Sequence, residues 1–140
     1  MGAVVVNLNG EYLFLCRADN DNDYWEFPKG HQHENESDIE TFKRELAEEC
    51  GIKDFEIING FLGENKYISS SSGNTRVILL YLAKVQSSEV KLSEEHRKYM
   101  WLDFNGALVK LNNDTWKKIL TEAHLYLEHV ADTLPQKKKA

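Results

Sequence analysis

Apolar residues open the chain in two short runs, "AVVVNL" at 3–8 and "EYLFLCR" at 11–17, both rich in β-branched or aromatic side chains and separated by Asn9-Gly10. An Asn-Gly step between two such runs is the strongest short hairpin signal, because the tight turn needs residues that tolerate positive φ. The chain is therefore predicted to start as a β-hairpin. A polar loop, "ADNDND", leads to an aromatic segment from Tyr24 to Phe27, which Pro28 ends by removing a backbone donor. The period of apolar positions then changes. Ile39, Phe42, Leu46 and Cys50 fall on one helical stripe, Ser37 and Glu40 have the spacing of a capping box, and Gly51 suits a left-handed stop. These signals predict a helix over Ser37 to Cys50.

Residues 55–68 and 76–85 read as strands joined by the flexible tip "SSSSGN", with a further short strand near Tyr99 to Leu102. From Asp114 to about Leu134 the apolar positions Trp116, Ile119, Leu120, Ala123, Leu127 and Val130 mark a closing amphipathic helix. The order hairpin, helix, strands, helix predicts an α+β domain with a mixed sheet and helices on both sides. No internal repeat is visible.

Composition narrows the class. A chain of 140 residues with 41% hydrophobic residues has enough apolar content for one domain with its own core, predicted over 1–134. Residues 135–140 read as a basic, disordered tail. The formal charge is −6 although Lys137, Lys138 and Lys139 supply three of the positive charges, so the body is more acidic than the total suggests. An acidic body argues against nucleic acid as a partner, because that binding comes from Lys and Arg neutralising phosphates. A polyphosphate ligand would need cations in between. Two cysteines without a CxxC spacing point to a reduced, cytoplasmic setting, and no stretch approaches the 18 apolar residues of a membrane span. A monomer is the simplest expectation.

Charge patterning carries the chemistry. Within the predicted helix Glu45, Glu48 and Glu49 stand at i, i+3 and i+4, which makes their side chains neighbours. A run of carboxylates is ordinarily a solvated face. Glu48 and Glu49 lie in the last turn, however, where the helix dipole disfavours negative charge, so a compensating cation is expected. Clustered carboxylate oxygens suit hard divalent ions such as Mg²⁺ or Mn²⁺, which serve phosphate chemistry.

Gly30, Glu36, Arg44, Glu45, Leu46, Glu48, Glu49, Gly51 and Ile52 together resemble the box of the Nudix hydrolases, G-x5-E-x7-R-E-U-x-E-E-x-G-U with U aliphatic, at every defined position. The resemblance implies a Nudix fold, an αβα sandwich around a mixed sheet, and hydrolysis of a nucleoside diphosphate linked to another moiety. It further implies that Glu45, Glu48 and Glu49 are metal ligands for two or more ions and that Arg44 orients the glutamates. By the same likeness Gly30 shapes the turn, Glu36 supports the loop, Gly51 closes the helix and Glu45 is the first candidate for the base.

Around the box, "WEFPKGH" at 25–31 and "LSEEHRKYMWL" at 92–102 are similar to patterns of the asymmetrical diadenosine tetraphosphate hydrolases within that family. This likeness implies that Lys29 and His31 contact phosphate, that Glu95 is an outlying metal ligand or alternative base, and that Tyr81 stacks on adenine, with Tyr67 and Tyr126 as further aromatic candidates. Read without the box, Lys29 is a solvated loop cation, His31 and His33 an exposed pair, and Tyr81 an ordinary strand aromatic. The expected reaction is metal-dependent hydrolysis of diadenosine tetraphosphate to ATP and AMP. Other Nudix substrates stay open: RNA 5′ ends, oxidised nucleoside triphosphates, nucleotide sugars or diphosphoinositols. A non-catalytic nucleotide-binding module is the remaining alternative.

Overall fold

The computed structural model describes residues 1–17 and 24–133. The "ADNDND" loop and the lysine tail thus lie outside the described residues. Strands β1 (Gly2–Val6), β2 (Tyr12–Arg17) and β3 (Trp25–Glu26) precede helix α1 (Asp38–Cys50). They are followed by β4 (Glu56–Ile68), β5 (Thr75–Lys84), β6 (His96–Leu102), α2 (Phe104–Lys110) and α3 (Asp114–Thr133). One mixed sheet runs β3-β2-β1-β5-β4, with β6 paired to β2. The β1–β5 pair is parallel, from Gly2 opposite Leu80 to Val6 opposite Lys84, and the other pairs are antiparallel.

The opening apolar run has no polar face because both of its faces are covered. Val4 and Val6 pack in a core with Phe14, Leu82, Trp116, Ile119 and Leu120, beneath α3. Ala3 and Val5, pointing the other way, pack with Leu13, Leu15, Phe42, Leu46 and Cys50 beneath α1. Alternate residues of β1 thus fill opposite layers, which gives the αβα sandwich. No described helix is long and apolar enough to cross a membrane.

Two predicted elements change in detail. The opening hairpin forms, with the Asn7 side chain accepting from the Asn9 and Glu11 N–H groups, yet β1 and β2 are in register only at Val6 and Tyr12. The strands part because the segment after β3 takes the vacated edge of β1: Ala3 N–H donates to the Pro28 carbonyl and Gly30 N–H to the Met1 carbonyl. That insertion brings Lys29 and Gly30 to the start of the sheet. The strand expected at Tyr99 to Leu102 begins at His96, extended by pairing with β2. Helix α2 was not foreseen; it is seven residues long with Gly106 inside it, and it starts on Asp103, whose carboxylate accepts from the Gly106 N–H at 2.7 Å.

Candidate active site

The site is built on α1, whose ends are fixed locally. Ser37 accepts from the Glu40 N–H and Glu40 from the Ser37 N–H, a complete capping box, while Gly51 closes the helix at φ 67°. Phe42, Leu46 and Cys50 anchor one face in the core. The face beside it carries Glu45, Glu48 and Glu49, with no basic residue in the last turn to offset them.

Arg44 holds this arrangement through the fixed fork of its guanidinium. Its Nε donates to Glu36 at 2.6 Å, its Nη1 to Glu45 at 2.8 Å and Glu48 at 3.0 Å, and its Nη2 to the His31 carbonyl at 2.8 Å and again to Glu36 at 3.0 Å. Glu36 also accepts from the His33 N–H and the Thr41 hydroxyl, so it ties the loop before α1 to the helix. The Arg44 hydrogen bond, with the His33 backbone donor behind it, holds the Glu36 carboxyl down at about 2.

Glu49 is the buried member, at 4% exposure, and accepts from the Lys29 N–H at 3.0 Å. Burial pushes its carboxyl up to about 7, against the lowering effect of His96 and with the Glu45 charge adding to the rise. Glu45 lies beneath Gly30, where a Cβ would meet its carboxyl atoms at 1.9–2.3 Å. Only glycine leaves room for that carboxylate. Gly30→Ala is accordingly expected to displace Glu45 and lower kcat by about 10–100-fold, since small misplacements of catalytic groups cost that much, with KM changing less. Steady-state kinetics on the folded variant measures this.

A cavity of about 510 Å³ lies over these groups, lined by Glu45, Glu48, Glu49 and Glu95 with Arg17, Lys29, His31, His33, Arg44 and Ser93. An adjoining cavity of about 330 Å³ shares Lys29, Gly30 and His31 and is otherwise walled by Gln32, Asp38, Tyr67, Arg76 and Ile78 among others. Lys29, His31 and Glu95 are thus gathered at the cavity over the carboxylate helix, and Tyr67 is placed at the adjoining one.

Tyr81 and Tyr126 are not. Tyr81 packs edge-on to Phe42 at 5.2 Å in the layer beneath α1 and lines neither cavity. Tyr126 belongs to the core under α3, on the opposite face of the sheet, where its hydroxyl donates to the Asn59 carbonyl at 2.7 Å and its ring meets Phe61. Each ring has a packing partner, and neither lines either cavity. Arg76, by contrast, escaped the sequence reading. It stands opposite Tyr67 across the β4–β5 ladder, and only that register reveals the pair.

As donors, the four carboxylates are hard oxygens facing one polar cavity, which is the set that Mg²⁺ or Mn²⁺ requires. Among the described residues no three such groups are gathered closely enough to enclose an ion as they stand. Arg44 is bonded to oxygens of both Glu45 and Glu48.

A mixed sheet between helices, with a loop and helix carrying this glutamate set, defines a class of phosphoanhydride hydrolases, and the NUDIX domain family matches residues 1–123. The chain belongs to the Nudix family. It is a pyrophosphohydrolase of that family, homologous to asymmetrical bis(5′-nucleosyl)-tetraphosphatases. It is 37% identical to the enzyme of that name from Sus scrofa over 119 residues, which cover 84% of this chain and 80% of the relative. An RNA pyrophosphohydrolase of Pelagibacter ubique is 34% identical over 122 residues, 76% of each chain. Among solved structures, a C. elegans Ap4A hydrolase binary complex superposes with a TM-score of 0.81 at 25% identity, covering 91% of this chain and 96% of that one.

Proposed function

We propose that this chain hydrolyses diadenosine tetraphosphate asymmetrically, to ATP and AMP, with Mg²⁺ or Mn²⁺ as cofactor in two or more sites. The observation that carries the reading is the two-part cleft. Its carboxylate part suits cations and phosphates, and the part walled by Tyr67 and Arg76 suits a nucleoside, with Lys29 and His31 at the junction. A ligand with a long phosphate chain and a base at its end matches that division. The name of the Sus scrofa relative supports the same substrate.

Glu45, Glu48, Glu49 and Glu95 would hold the ions. When bound, such ions neutralise phosphate oxygens and make a coordinated water more acidic. The chain's own groups do the rest. The Lys29 ammonium and the His31 ring face the phosphate chain, and the Arg76 guanidinium meets charge in the second cavity. The Tyr67 ring offers a stacking surface, worth about 1–3 kcal/mol per base. Arg44 sets the direction of Glu45, whose carboxylate takes the proton of the attacking water. Water oxygen bonds to phosphorus as the anhydride P–O bond breaks, and the departing phosphate leaves as part of ATP.

An acidic protein can thereby act on a polyanion, and a small-molecule substrate fits better than nucleic acid. Buried, unpaired Cys16 and Cys50 are in keeping with a reducing cytoplasmic setting. The distinguishing experiment compares kcat/KM for diadenosine tetraphosphate with an RNA 5′-triphosphate, oxidised nucleoside triphosphates, nucleotide sugars and diphosphoinositols. Diadenosine tetraphosphate fastest supports the proposal, and faster turnover of another compound replaces it.

A pH signature follows from Glu49. Its folded-state value is raised, from 4.5 to about 7, so its contribution to stability is full below 4.5 and is lost as pH rises through 7. A cation binds the ionised form and offsets that loss. The gain in thermal midpoint on replacing EDTA with Mg²⁺ is therefore expected to grow between pH 6 and pH 8. A gain independent of pH would remove Glu49 from the ligand set.

A further inference from the structure

Among the described residues Lys29 is the lysine or arginine that lines both cavities, and a lysine has a flexible four-carbon stem that must be held if it is to act there. Its holder is neither part of the Nudix box nor exposed. Glu26, in β3, is 4% exposed, and its Oε1 lies 3.6 Å from the Lys29 Nζ. Its other oxygen, Oε2, lies 3.4 Å from Nε2 of His96, an equally buried ring at the start of β6. Among the described residues the His96 Nδ1 has no hydrogen-bond partner, so the ring's hydrogen bond is the one to Glu26. Backed in this way, the Glu26 carboxylate is a fixed point. The Lys29 N–H is separately fixed by Glu49, so backbone and ammonium are tied down from two sides.

We infer that Glu26 is a positioning residue that holds the Lys29 ammonium at the junction of the cavities, where it meets the phosphate chain of the substrate. The inference rests on the reading of Lys29 as a phosphate contact. A buried carboxylate is costly unless it is paired, and here it has a partner on each oxygen. One of those partners reaches the ligand cleft. A phosphate entering the cleft meets an ammonium already in place instead of one it must order itself.

Glu26→Asp separates position from charge. The negative charge stays, so the field in the cleft is nearly unchanged, while the carboxylate draws back by one methylene and no longer reaches Lys29. The probe is magnesium imidodiphosphate, a non-hydrolysable diphosphate, with binding read by calorimetry on the whole protein. Because it carries no nucleoside, its binding is indifferent to which nucleotide is hydrolysed, so failure of the substrate reading is seen in the substrate panel and not here. Glu26→Asp is expected to weaken binding about fivefold or more and to raise KM more than it lowers kcat. In a Lys29→Met background the same substitution should have no effect.

Equal losses in both backgrounds would mean that Glu26 acts through the general fold, and wild-type binding in Glu26→Asp would mean that it does not hold Lys29. Wild-type binding in Lys29→Met alone would also overturn the inference. Thermal unfolding of each variant verifies the fold. Should the aspartate fail to fold, Glu26→Gln replaces it, with the same required dependence on Lys29.

Discussion

Glu49→Gln is expected to lower kcat/KM by about two to four orders of magnitude while leaving the fold intact. The amide is nearly the same shape as the carboxylate and keeps an oxygen to accept from the Lys29 N–H. What it loses is the charge. Removing one anionic ligand from a cation that stabilises several kcal/mol of developing phosphate charge accounts for a loss of about 10²–10⁴ in rate. The same change should make the metal-free protein more stable at pH 8, because the wild-type chain must keep a buried carboxylate ionised there at a cost visible in its raised value of about 7. Kinetics together with thermal midpoints in EDTA measure both effects. Near wild-type turnover would show that Glu49 is not a ligand, and an unchanged midpoint would show that its burial is less costly than its surroundings imply.

Leu46→Ala is expected to do the reverse. Leu46 is 1% exposed and packs in the layer of Ala3, Val5, Phe42 and Cys50 that fastens α1 to the sheet. Truncating a leucine in such a place removes its burial and leaves a cavity, at about 2–5 kcal/mol. For a domain of this size that lowers the midpoint by on the order of 10 °C. Urea unfolding measures it directly. At a temperature where the variant is still folded, turnover should fall far less than in Glu49→Gln, because the carboxylates keep their charge and Arg44 its fork. Activity and stability are thus expected on adjacent faces of one helix, and the two variants should separate them.

The parts of the site legible in the sequence were those that local physics writes. The limits of α1 follow from Ser37, Glu40 and Gly51, its buried stripe from Phe42, Leu46 and Cys50, and the neighbouring glutamates from their i, i+3, i+4 spacing. The box then linked Gly30 and Glu36 to that helix, and the structure places Gly30 over Glu45 and Glu36 on Arg44. Long-range register was not legible. Choosing among Tyr67, Tyr81 and Tyr126 depends on which face each strand or helix shows to which layer, and only Tyr67 lines the cleft. Arg76 enters the site through a cross-strand pairing, and the backing of Glu26 by His96 spans seventy positions of the chain. Helix α2 was hidden by its shortness and its internal glycine, although Asp103 ahead of it was a capping signal.

The repulsion between Glu45 and Glu49, four residues apart, is a minor cost in itself, a few tenths of a kcal/mol on an exposed helix. Burial of Glu49 and the lack of a basic residue in the last turn add to it. Arg44 offsets part of this, and a bound cation would offset the remainder. On the proposed reading the helix is less favourable alone than with a cation bound, which is the physical sense of crowding like charge at its C-terminal end.

The most direct measurement is chromatographic product analysis of diadenosine tetraphosphate incubated with the protein, once with Mg²⁺ and once with EDTA. ATP and AMP in equal amounts, formed only with the metal, is the expected result. Two molecules of ADP, or the same products at the same rate in EDTA, would contradict it.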